Sequence, residues 1–323
     1  MKVVVTGSSG YIGGQIALAL KDAGHEVMGI DRRPCPSHLK EVFNQSVLAD
    51  FDSDTAGKKL IQFVPDTIVH CAGTSLVGPS IRYPSDYYHN NVIKTIHMLD
   101  LVLAALPRTR FIFSSSAAVY GEPAMTPCVE TDLCKPVSPY GESKHMIEQV
   151  LASYHQAYKL DYVAFRYFNA CGADSQGRHG SEPGGTHIIS RVLESIRDKE
   201  EFVLNGINYP TNDGTCVRDY VHVEDIAQAH VAALDAKVPV GVYNLGSNQG
   251  VSNLEIIDAA QRITKQILNF RSGDKRAGDP AVLTASSNKF DQFFDQFGSW
   301  RKHSLDHMIQ HSWNWYVRQN SQI

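Results

Sequence analysis

The sequence predicts an α/β protein: a Rossmann-type, doubly wound parallel sheet with a smaller α/β substrate domain towards the C-terminus. Three observations support this prediction. A β-branched strand, a glycine-rich loop, a helix and a second strand follow one another from Lys2 to Asp31. Strands and helices then keep alternating to about residue 170, which is typical of a parallel sheet. The 323 residues are enough for about two domains.

The glycine-rich loop is Gly7-Ser8-Ser9-Gly10-Tyr11-Ile12-Gly13, and it joins the strand Lys2–Thr6 to the first helix. Glycines lack a Cβ and let the backbone approach a pyrophosphate closely. The helix N-terminus offers N–H groups and the positive end of its dipole. Strand, glycine loop and helix in this order predict a dinucleotide-binding site.

The second strand, Glu26–Ile30, finishes at Asp31, near the expected distance of about 20 residues beyond the glycines. A carboxylate at this place accepts hydrogen bonds from both hydroxyls of the adenosine ribose and disfavours a 2′-phosphate. We therefore expect NAD as the cofactor. Arg32 and Arg33 follow directly and could in principle hold such a phosphate, which leaves NADP as the alternative.

The other strands of the predicted sheet bring further candidates to the same edge. Strands are predicted at Ser46–Asp50, Thr67–His70, Arg110–Ser114 and Asp161–Phe168, with a helix at Asn91–Leu106. In such sheets the site lies at the carboxyl ends of the strands. The residues at those ends are Asp50, Ala72-Gly73, Ser114–Ser116 and Tyr167-Phe168-Asn169.

The stretch SPYGESK predicts the start of a helix. Ser138 is a suitable N-cap, and Pro139 suits the first helical position. Tyr140 and Lys144 then lie one turn apart on one face. Taken alone, a phenol beside an ammonium group is either surface decoration or a proton-transfer pair. The serines at Ser114–Ser116 supply a hydroxyl partner, which favours proton transfer.

Composition and charge exclude several classes of function. Hydrophobic residues make up 43% of the chain and charged residues 20%, as in ordinary soluble globular enzymes. A net charge of −4 without a basic stripe argues against nucleic-acid binding. We predict no membrane span and no secretory leader, because no apolar run approaches about 20 residues. The six cysteines form no CxxC pair and no zinc spacing, so we expect free thiols in the cytoplasm.

Seven motifs together resemble one protein family. They are TGSSGYIG, SSSAAVYGEP, SPYGESK, RYFNACGA, YPTNDGTCVRDYVHVEDIA, YNLGS and RAGDPA. The chain resembles the extended short-chain dehydrogenase/reductase superfamily and, within it, the UDP-glucose 4-epimerases, also called UDP-galactose 4-epimerases. The resemblance runs from Val3 to about Trp315. It implies an isomerase that interconverts UDP-glucose and UDP-galactose with tightly bound NAD.

The resemblance implies a catalytic set of Ser116, Tyr140 and Lys144. Tyr140 would take the proton of the sugar 4-hydroxyl while the C4 hydride passes to NAD⁺. The 4-keto sugar would then turn over in the pocket and receive the hydride on its other face. Ser116 would relay the proton. Because free tyrosine has a pKa of about 10, we expect Lys144 and the nicotinamide cation to lower that pKa to about 7, which requires roughly 4 kcal/mol.

The resemblance also implies which residues bind the two ligands. The cofactor set is Gly7, Gly10, Tyr11, Ile12, Gly13, Asp31, Asp50, Phe51, Cys71, Ala72, Gly73, Asn90, Ser114, Tyr140, Lys144 and Tyr167. The substrate set is Ser116, Tyr140, Asn169, His187, Ile188, Arg218, Arg276 and Asp279. The two arginines suit a diphosphate, because a planar guanidinium matches phosphate oxygens. Asn90, on the substrate side of the cofactor, could alternatively be a helix N-cap.

The predicted domains are not two clean segments. Residues 1–170 form the NAD-binding domain, to which 221–247 return, and 171–323 form the UDP-sugar-binding domain. Within the returning part, a helix is predicted at Val223–Leu234 and a strand at Val242–Leu245. A homodimer is expected, because related proteins pair the helices that begin at Asn91 and near Tyr140 across a two-fold axis.

Three departures from the family pattern limit the resemblance. Thr74-Ser75-Leu76 stands where many members have a lysine at the cofactor, and Asn205 where an aromatic residue often flanks uracil. Leu283 is intermediate in size at a position that helps to decide whether an N-acetyl group fits. A 4-epimerase of a UDP-N-acetylhexosamine, UDP-pentose or UDP-uronate therefore stays the alternative, and a non-catalytic nucleotide-sugar-binding regulator is the alternative from another class. A dehydratase is disfavoured, because Ser115-Ser116-Ala117 replaces the Asp-Glu pair that elimination needs.

Overall fold

The computed structural model describes residues 1–275, 280–294 and 299–320. The first part of the chain contains β1 (Lys2–Thr6), α1 (Tyr11–Asp22), β2 (Glu26–Asp31), β3 (Gln45–Leu48), α2 (Asp54–Phe63), β4 (Thr67–His70), α3 (Val77–Arg82), α4 (Pro84–Tyr87), α5 (Lys94–Ala105), β5 (Arg110–Ser116), α6 (Pro139–Tyr158) and β6 (Tyr162–Tyr167). The second part contains β7 (Asn169–Cys171), α7 (Ile188–Asp198), β8 (Phe202–Asn205), β9 (Val217–His222), α8 (Val223–Ala232), β10 (Gly241–Leu245), β11 (Gly250–Ser252), α9 (Asn253–Thr264), β12 (Phe270–Gly273), β13 (Val282–Leu283), α10 (Asn288–Asp291) and α11 (Leu305–Asn320).

The main sheet has seven strands in the order β10-β6-β5-β4-β1-β2-β3. The central strand β1 pairs in parallel with β2 on one side and with β4 on the other, so the winding of the chain reverses there. Val3, Val4 and Val5 have no exposed surface, because helices cover both faces of a parallel sheet. The predicted Rossmann-type fold is confirmed, and its ligand crevice belongs at the carboxyl ends of β1 and β4.

Several predicted elements have shifted boundaries, and the shifts at β3 and at the helix predicted from Asn91 have a clear local cause. The strand β3 ends at Leu48 rather than Asp50, because the carbonyl of Asp50 accepts hydrogen bonds from the N–H (3.1 Å) and hydroxyl (2.6 Å) of Ser53 in a turn. The helix predicted from Asn91 begins earlier. It starts as α4 and passes through a wide π-helical turn at Tyr88–Ile93 before α5.

The chain forms two compact units. The first comprises Met1–Gly121, Glu130–Tyr167 and Ala227–Asn244, and the second comprises Glu122–Val129, Phe168–Ile226 and Leu245–Ile323. The segment Glu122–Val129 belongs to the second unit through Cys128, whose N–H donates a 2.8 Å hydrogen bond to the carbonyl of Thr284. The chain therefore enters the second unit at Glu122–Val129 and again at Phe168–Ile226, before Ala227–Asn244 returns to the first unit.

Each unit has its own hydrophobic core. In the first, apolar residues of α2, α5 and α6 pack on the sheet, among them Leu60, Leu99 and Ile147. In the second, a small sheet places β9 between β11 and β13 and also pairs it with β7. There α7, α9 and α11 contribute apolar side chains such as Leu193 and Ile257. Within the described ranges, no helix combines the length and the apolar character that crossing a membrane requires.

Candidate active site

The glycine-rich loop packs against neighbouring backbone with no room for side chains. Gly7 has a φ of +68°, and a Cβ there would lie 2.8 Å from a backbone nitrogen of the loop after β4. A Cβ on Gly13 would lie 2.2 Å from the carbonyl oxygen of Gly7. Gly10 is the N-cap of α1, and Tyr11 and Ile12 begin its first turn. The N-cap residue thus puts no side chain over the positive end of the helix.

Asp31 is the last residue of β2 and has acceptor capacity left for a ligand. One carboxylate oxygen accepts the N–H of Ser9 at 2.9 Å, and the other accepts the N–H of Arg33 at 2.8 Å. A carboxylate offers about four acceptor sites, so about two remain for ribose hydroxyls. The half-exposed Arg33 side chain approaches the same carboxylate at 3.9 Å. The geometry of Asp31 therefore agrees with its predicted role.

The loop after β4 is fixed by an asparagine that the sequence analysis missed. Asn91 is 3% exposed, and its Oδ1 accepts the N–H of Thr74 at 2.7 Å. Its Nδ2 donates to the Thr74 carbonyl and to Ser143 Oγ, both at 3.0 Å. A Cβ on Gly73 would lie 2.9 Å from Asn91 Oδ1. Asn90, chosen from the sequence, donates to Thr74 Oγ1 at 3.3 Å, and it lies inside the π-helical turn, so the N-cap alternative is wrong.

The helix α6 begins where SPYGESK predicts. Ser138 Oγ accepts the N–H of Gly141 at 3.2 Å, and Pro139 is the first helical residue. This cap sets the rotation of the helix. Tyr140 and Lys144 lie on one face, with Lys144 Nζ 6.0 Å from the centre of the Tyr140 ring.

Lys144 is a buried ammonium group anchored on the end of β5. Its Nζ donates a 2.8 Å hydrogen bond to the carbonyl of Ser114 and lies 4.7 Å from the centre of the Phe113 ring. Burial lowers the pKa of Lys144 to about 8, although nearby Cys71 and Glu148 act in the opposite direction. The Lys144 ammonium group therefore loses its proton at a pH that is only slightly above neutral.

Tyr140 and Ser116 form a hydroxyl pair. Ser116 is the last residue of β5, and its Oγ accepts the N–H of Ala118 at 3.2 Å. Burial raises the pKa of Tyr140, a hydrogen bond with the Ser116 side chain lowers it in part, and Tyr87 raises it again. For the chain by itself the pKa of Tyr140 is therefore raised, and the lowering expected from Lys144 together with the nicotinamide cation stays a prediction. Desolvation disfavours the phenolate more than its neighbours stabilise it.

Asp50 and Phe51 lie on the turn between β3 and α2. The Asp50 carboxylate pairs with Lys94 Nζ at 2.5 Å. Burial alone would raise the pKa of Asp50, but the hydrogen bond and charge of Lys94 bring it below its usual value. Phe51 is buried and packs edge-on against His70, with ring centres 4.8 Å apart. Both residues therefore lie at the predicted edge of the sheet, and the aspartate is engaged by a lysine.

Ser114, Cys71 and Tyr167 form a buried chain of polar groups. Tyr167 Oη donates to Ser114 Oγ at 2.8 Å, and Ser114 Oγ donates to Cys71 Sγ at 3.1 Å. His230 Nε2 lies 2.8 Å from Tyr167 Oη, so the histidine is the donor there. Burial raises the pKa of Cys71 to about 11, which keeps it a thiol. These predicted cofactor residues form one hydrogen-bonded network, and Lys144 joins it through the carbonyl of Ser114.

In the second unit, parallel pairing brings two of the predicted substrate residues onto adjacent strands. Asn169 on β7 donates from Nδ2 to the carbonyl of Asp219 at 2.8 Å, and Arg218 precedes that residue on β9. Asp219 was missed by the sequence analysis. It has no exposed surface, it accepts the N–H and hydroxyl of Ser247 at 2.6 and 2.8 Å, and burial raises its pKa to about 6.

His187 and Ile188 begin a helix, as the sequence predicts. His187 is the N-cap of α7 and Ile188 is its first residue. Burial lowers the pKa of His187 and so favours the neutral imidazole. Arg276 and Asp279, also predicted to contact the substrate, lie outside the described residues.

The first unit fits a bound dinucleotide. The tightly packed glycine loop leaves the N-terminus of α1 free of side chains, Asp31 keeps acceptor capacity, and Lys144 supplies a cation at the same edge of the sheet. These are the groups that a pyrophosphate, an adenosine ribose and a nicotinamide ribose require.

Comparisons with known proteins agree with this fit. Residues 3–246 match the sequence model of the NAD dependent epimerase/dehydratase family. The UDP-glucose 4-epimerase of Halalkalibacterium halodurans is 37% identical over 328 residues, which cover 98% of this chain and 96% of that protein. The corresponding enzyme of Lacticaseibacillus casei is 38% identical over 98% of this chain and 97% of its own.

Solved structures lead to the same family. The crystal structure of the UDP-glucose-4-epimerase from Stenotrophomonas maltophila, with bound NAD and formylated UDP-arabinopyranose, has a TM-score of 0.93 and 31% identity over 100% of both chains. That of the UDP-glucose 4-epimerase from Bifidobacterium longum, in complex with NAD⁺ and UDP, has a TM-score of 0.90 and 30% identity, again over 100% of both chains. The chain therefore belongs to the NAD dependent epimerase/dehydratase family.

Proposed function

We propose that this protein is an isomerase, an NAD-dependent 4-epimerase that interconverts UDP-glucose and UDP-galactose. The observation that carries the proposal is the Lys144 ammonium group, which is anchored on the carbonyl of Ser114 at 2.8 Å and lies 6.0 Å from the centre of the Tyr140 ring, near Ser116. Curated relatives named UDP-glucose 4-epimerase cover nearly the whole chain, which supports the choice of reaction within the family.

The side chains of the first unit divide the proton chemistry among them. Tyr140 Oη accepts the proton of the sugar 4-hydroxyl and later returns it. Ser116 Oγ bonds the same sugar oxygen and relays the proton. Lys144 Nζ binds ribose hydroxyls and keeps positive charge near the phenol. Bound NAD supplies the acceptor and then the donor of the hydride, and its oxidised ring adds the positive charge that favours the Tyr140 phenolate.

The surroundings of β5 favour epimerisation over loss of water. Elimination needs a free acid and base beside the sugar, and Ser115, Ser116 and Ala117 stand at this strand end. Glu148 does reach Ser115, but Arg166 holds both of its carboxylate oxygens at 2.7 and 3.0 Å. A carboxylate bound in this way is a poor proton donor.

We assign the UDP moiety of the substrate to the second unit. Asn169, Arg218, His187 and Ile188 are proposed contacts, together with Arg276 and Asp279. Asn169 and Arg218 are supported by their places on the adjacent strands β7 and β9. His187 and Ile188 are supported by the N-terminus of α7, which favours phosphate oxygens.

Two further proposals concern assembly and compartment. We propose a homodimer formed through α5 and α6, where Ile93, in the turn that leads into α5, and Tyr158, the last residue of α6, are 44% and 63% exposed. Analytical ultracentrifugation checks this, and a monomer at micromolar concentration would contradict it. The cytoplasm is the proposed compartment, and the six free cysteines support a reducing environment.

A direct assay tests the function. Purified protein is incubated with UDP-galactose, and the UDP-glucose that forms is separated from the substrate by chromatography. We expect conversion in both directions without added NAD, because the cofactor copurifies, and we expect NAD to be released on denaturation. The same assay with UDP-N-acetylhexosamines and UDP-pentoses identifies the preferred sugar. No conversion of any UDP-sugar would refute the proposal.

A further inference from the structure

Three residues of α6 contact three consecutive serines at the end of β5. Tyr140, Lys144 and Glu148 follow one another at intervals of one helical turn and so share a face. Tyr140 lies near the side chain of Ser116, which lowers the pKa of the phenol in part, and Lys144 Nζ donates to the carbonyl of Ser114. Glu148 Oε1 accepts the hydroxyl of the serine between them, Ser115, at 2.5 Å. The first two contacts belong to the catalytic set, whereas the third has no role in the proposed proton transfer.

The carboxylate of Glu148 is buried and fully engaged. Glu148 is 4% exposed and Arg166, on β6, is also 4% exposed. Arg166 Nε donates to Oε1 at 3.0 Å and Nη2 donates to Oε2 at 2.7 Å. Taking two charges out of water is costly, and such pairs add little net stability compared with apolar residues of similar volume. A contribution to geometry is therefore a better account of this pair than a contribution to stability.

Arg166 is itself held by two further elements of the first unit. Its Nη1 donates to Tyr120 Oη at 2.9 Å and to the carbonyl of Glu130 at 3.3 Å. Tyr120 Oη in turn donates to Asn244 Oδ1 on β10 at 2.7 Å. The position of Glu148 is thus set by a network that includes β6 and β10 as well as α6. A carboxylate that is held so firmly can fix the position of a hydroxyl group that donates a hydrogen bond to it.

Fixing Ser115 also orients Ser116. Ser116 is the next residue of β5, so the hydrogen bond from the Ser115 hydroxyl to Glu148 restrains the backbone from which the Ser116 side chain extends. The same stretch pairs with β6 through Ser115 and Ser116, and the Ser115–Glu148 hydrogen bond adds a restraint from α6. The negative charge of Glu148 also favours the protonated form of Lys144, four residues earlier on the helix.

We propose that Glu148 is a positioning residue, which clamps Ser115 so that Ser116 faces Tyr140 and Lys144 stays charged. The inference rests on the proposed epimerase function. Glu148 takes no part in the proton transfer, so its removal should reduce kcat more than it changes KM. A misplacement of about 1 Å in a catalytic group can cost a factor of about 100 in rate.

The central variant is Ser115→Ala, which removes the hydrogen bond and leaves the Arg166–Glu148 ion pair intact. We expect kcat to fall about tenfold while KM stays within about twofold. Ser115→Thr retains a hydroxyl and suits a strand, so it should restore most of the rate. Glu148→Gln removes the charge, and its kcat should fall further, with the alkaline decline of the pH–rate profile moved to lower pH.

A matched control separates positioning from general stability. Asp174 is 1% exposed, and Arg178 holds its two oxygens at 3.0 and 2.8 Å, so it is a similarly buried and paired carboxylate in the second unit. Asp174→Asn should lower the melting temperature with kcat unchanged. Equal kcat losses in Asp174→Asn and Glu148→Gln would overturn the proposal, as would a kcat for Ser115→Ala within about twofold of the original protein.

Hydrogen exchange gives a readout that does not depend on activity. Mass spectrometry should show faster exchange of the backbone amides at 115–119 in Ser115→Ala and Glu148→Gln, and no change there in Asp174→Asn. If the original protein converts no UDP-sugar, the proposed function fails. Hydrogen exchange alone then tests whether Glu148 fixes Ser115. Unchanged exchange at 115–119 in both variants would refute it.

Discussion

Lys144 Nζ donates a 2.8 Å hydrogen bond to the backbone carbonyl of Ser114, two residues before Ser116, whose side chain lies near Tyr140. One contact between α6 and β5 thus sets the distance between a buried cation and a hydroxyl pair. The catalytic residues are therefore brought together by the packing of α6 against β5, and neither element would do this alone.

Replacing Tyr140 by phenylalanine removes the phenol and leaves the ring packing against Tyr87. We expect turnover to fall at least about a hundredfold, because general acid–base groups contribute at least that much. NAD content should be unchanged when it is measured after denaturation. Near-normal turnover in Tyr140→Phe would exclude this residue as the proton acceptor.

The pH–rate profile should report Lys144. Burial lowers its pKa to about 8, so the group loses its positive charge as the pH rises through that value. We expect kcat to decline above about pH 8. Lys144→Arg keeps the charge at all accessible pH values, and its profile should lack this decline, although its absolute rate is lower. A decline at the same pH in Lys144→Arg would assign it to another group.

Loss of the Asp31 carboxylate should weaken cofactor binding. Charge-assisted hydrogen bonds contribute about 1.5–3 kcal/mol each, so Asp31→Ala should bind NAD at least about tenfold more weakly. Titration calorimetry on protein stripped of NAD measures this. Asp31→Asn retains an acceptor oxygen and should give an intermediate affinity. An affinity for NAD that is the same in all three proteins would remove Asp31 from the cofactor site.

In a cluster of histidines in the second unit, the hydrogen bonds define which ring nitrogens carry a hydrogen. His222 Nδ1 accepts the N–H of Glu224 at 3.0 Å, so its Nε2 carries the hydrogen and donates to His311 Nδ1 at 3.0 Å. His303 lies between two carboxylates, 2.7 Å from Asp225 and 3.1 Å from Glu224. These hydrogen bonds use the nitrogens that a metal ion would need. We therefore expect zinc or a chelator to leave the melting temperature unchanged.

The charge of His303 should make unfolding depend on pH. Burial would lower its pKa, but the two carboxylates raise it from 6.5 to about 9. Because the folded value is higher, the stabilisation is fully present below about pH 6.5 and is lost as the pH rises through about 9. Urea unfolding should show a loss on the order of 2 kcal/mol across that interval. His303→Gln should remove this dependence, whereas His97→Gln, at an exposed site of the first unit, should retain it.

The local signals of the sequence determined much of the site. Glycine spacing, a strand ending in Asp31 and the cap at Ser138 depend on neighbours in the chain, and all three have the predicted form. Hydrophobic periodicity likewise predicted the parallel sheet. Such features follow from backbone sterics and from capping hydrogen bonds, which act over a few residues and are therefore readable from the sequence.

Tertiary structure alone decided the electrostatics and the supporting contacts. Burial raises the pKa of Tyr140 in the chain by itself, and burial depends on everything packed around the phenol. Asn91 rather than Asn90 fixes the loop after β4, since a π-helical turn rotates the helix face by an amount that no sequence spacing reveals. Glu148 and Arg166 meet across two elements of the fold. Desolvation and long-range pairing are properties of three-dimensional neighbours, so a sequence names these groups without showing which of them touch.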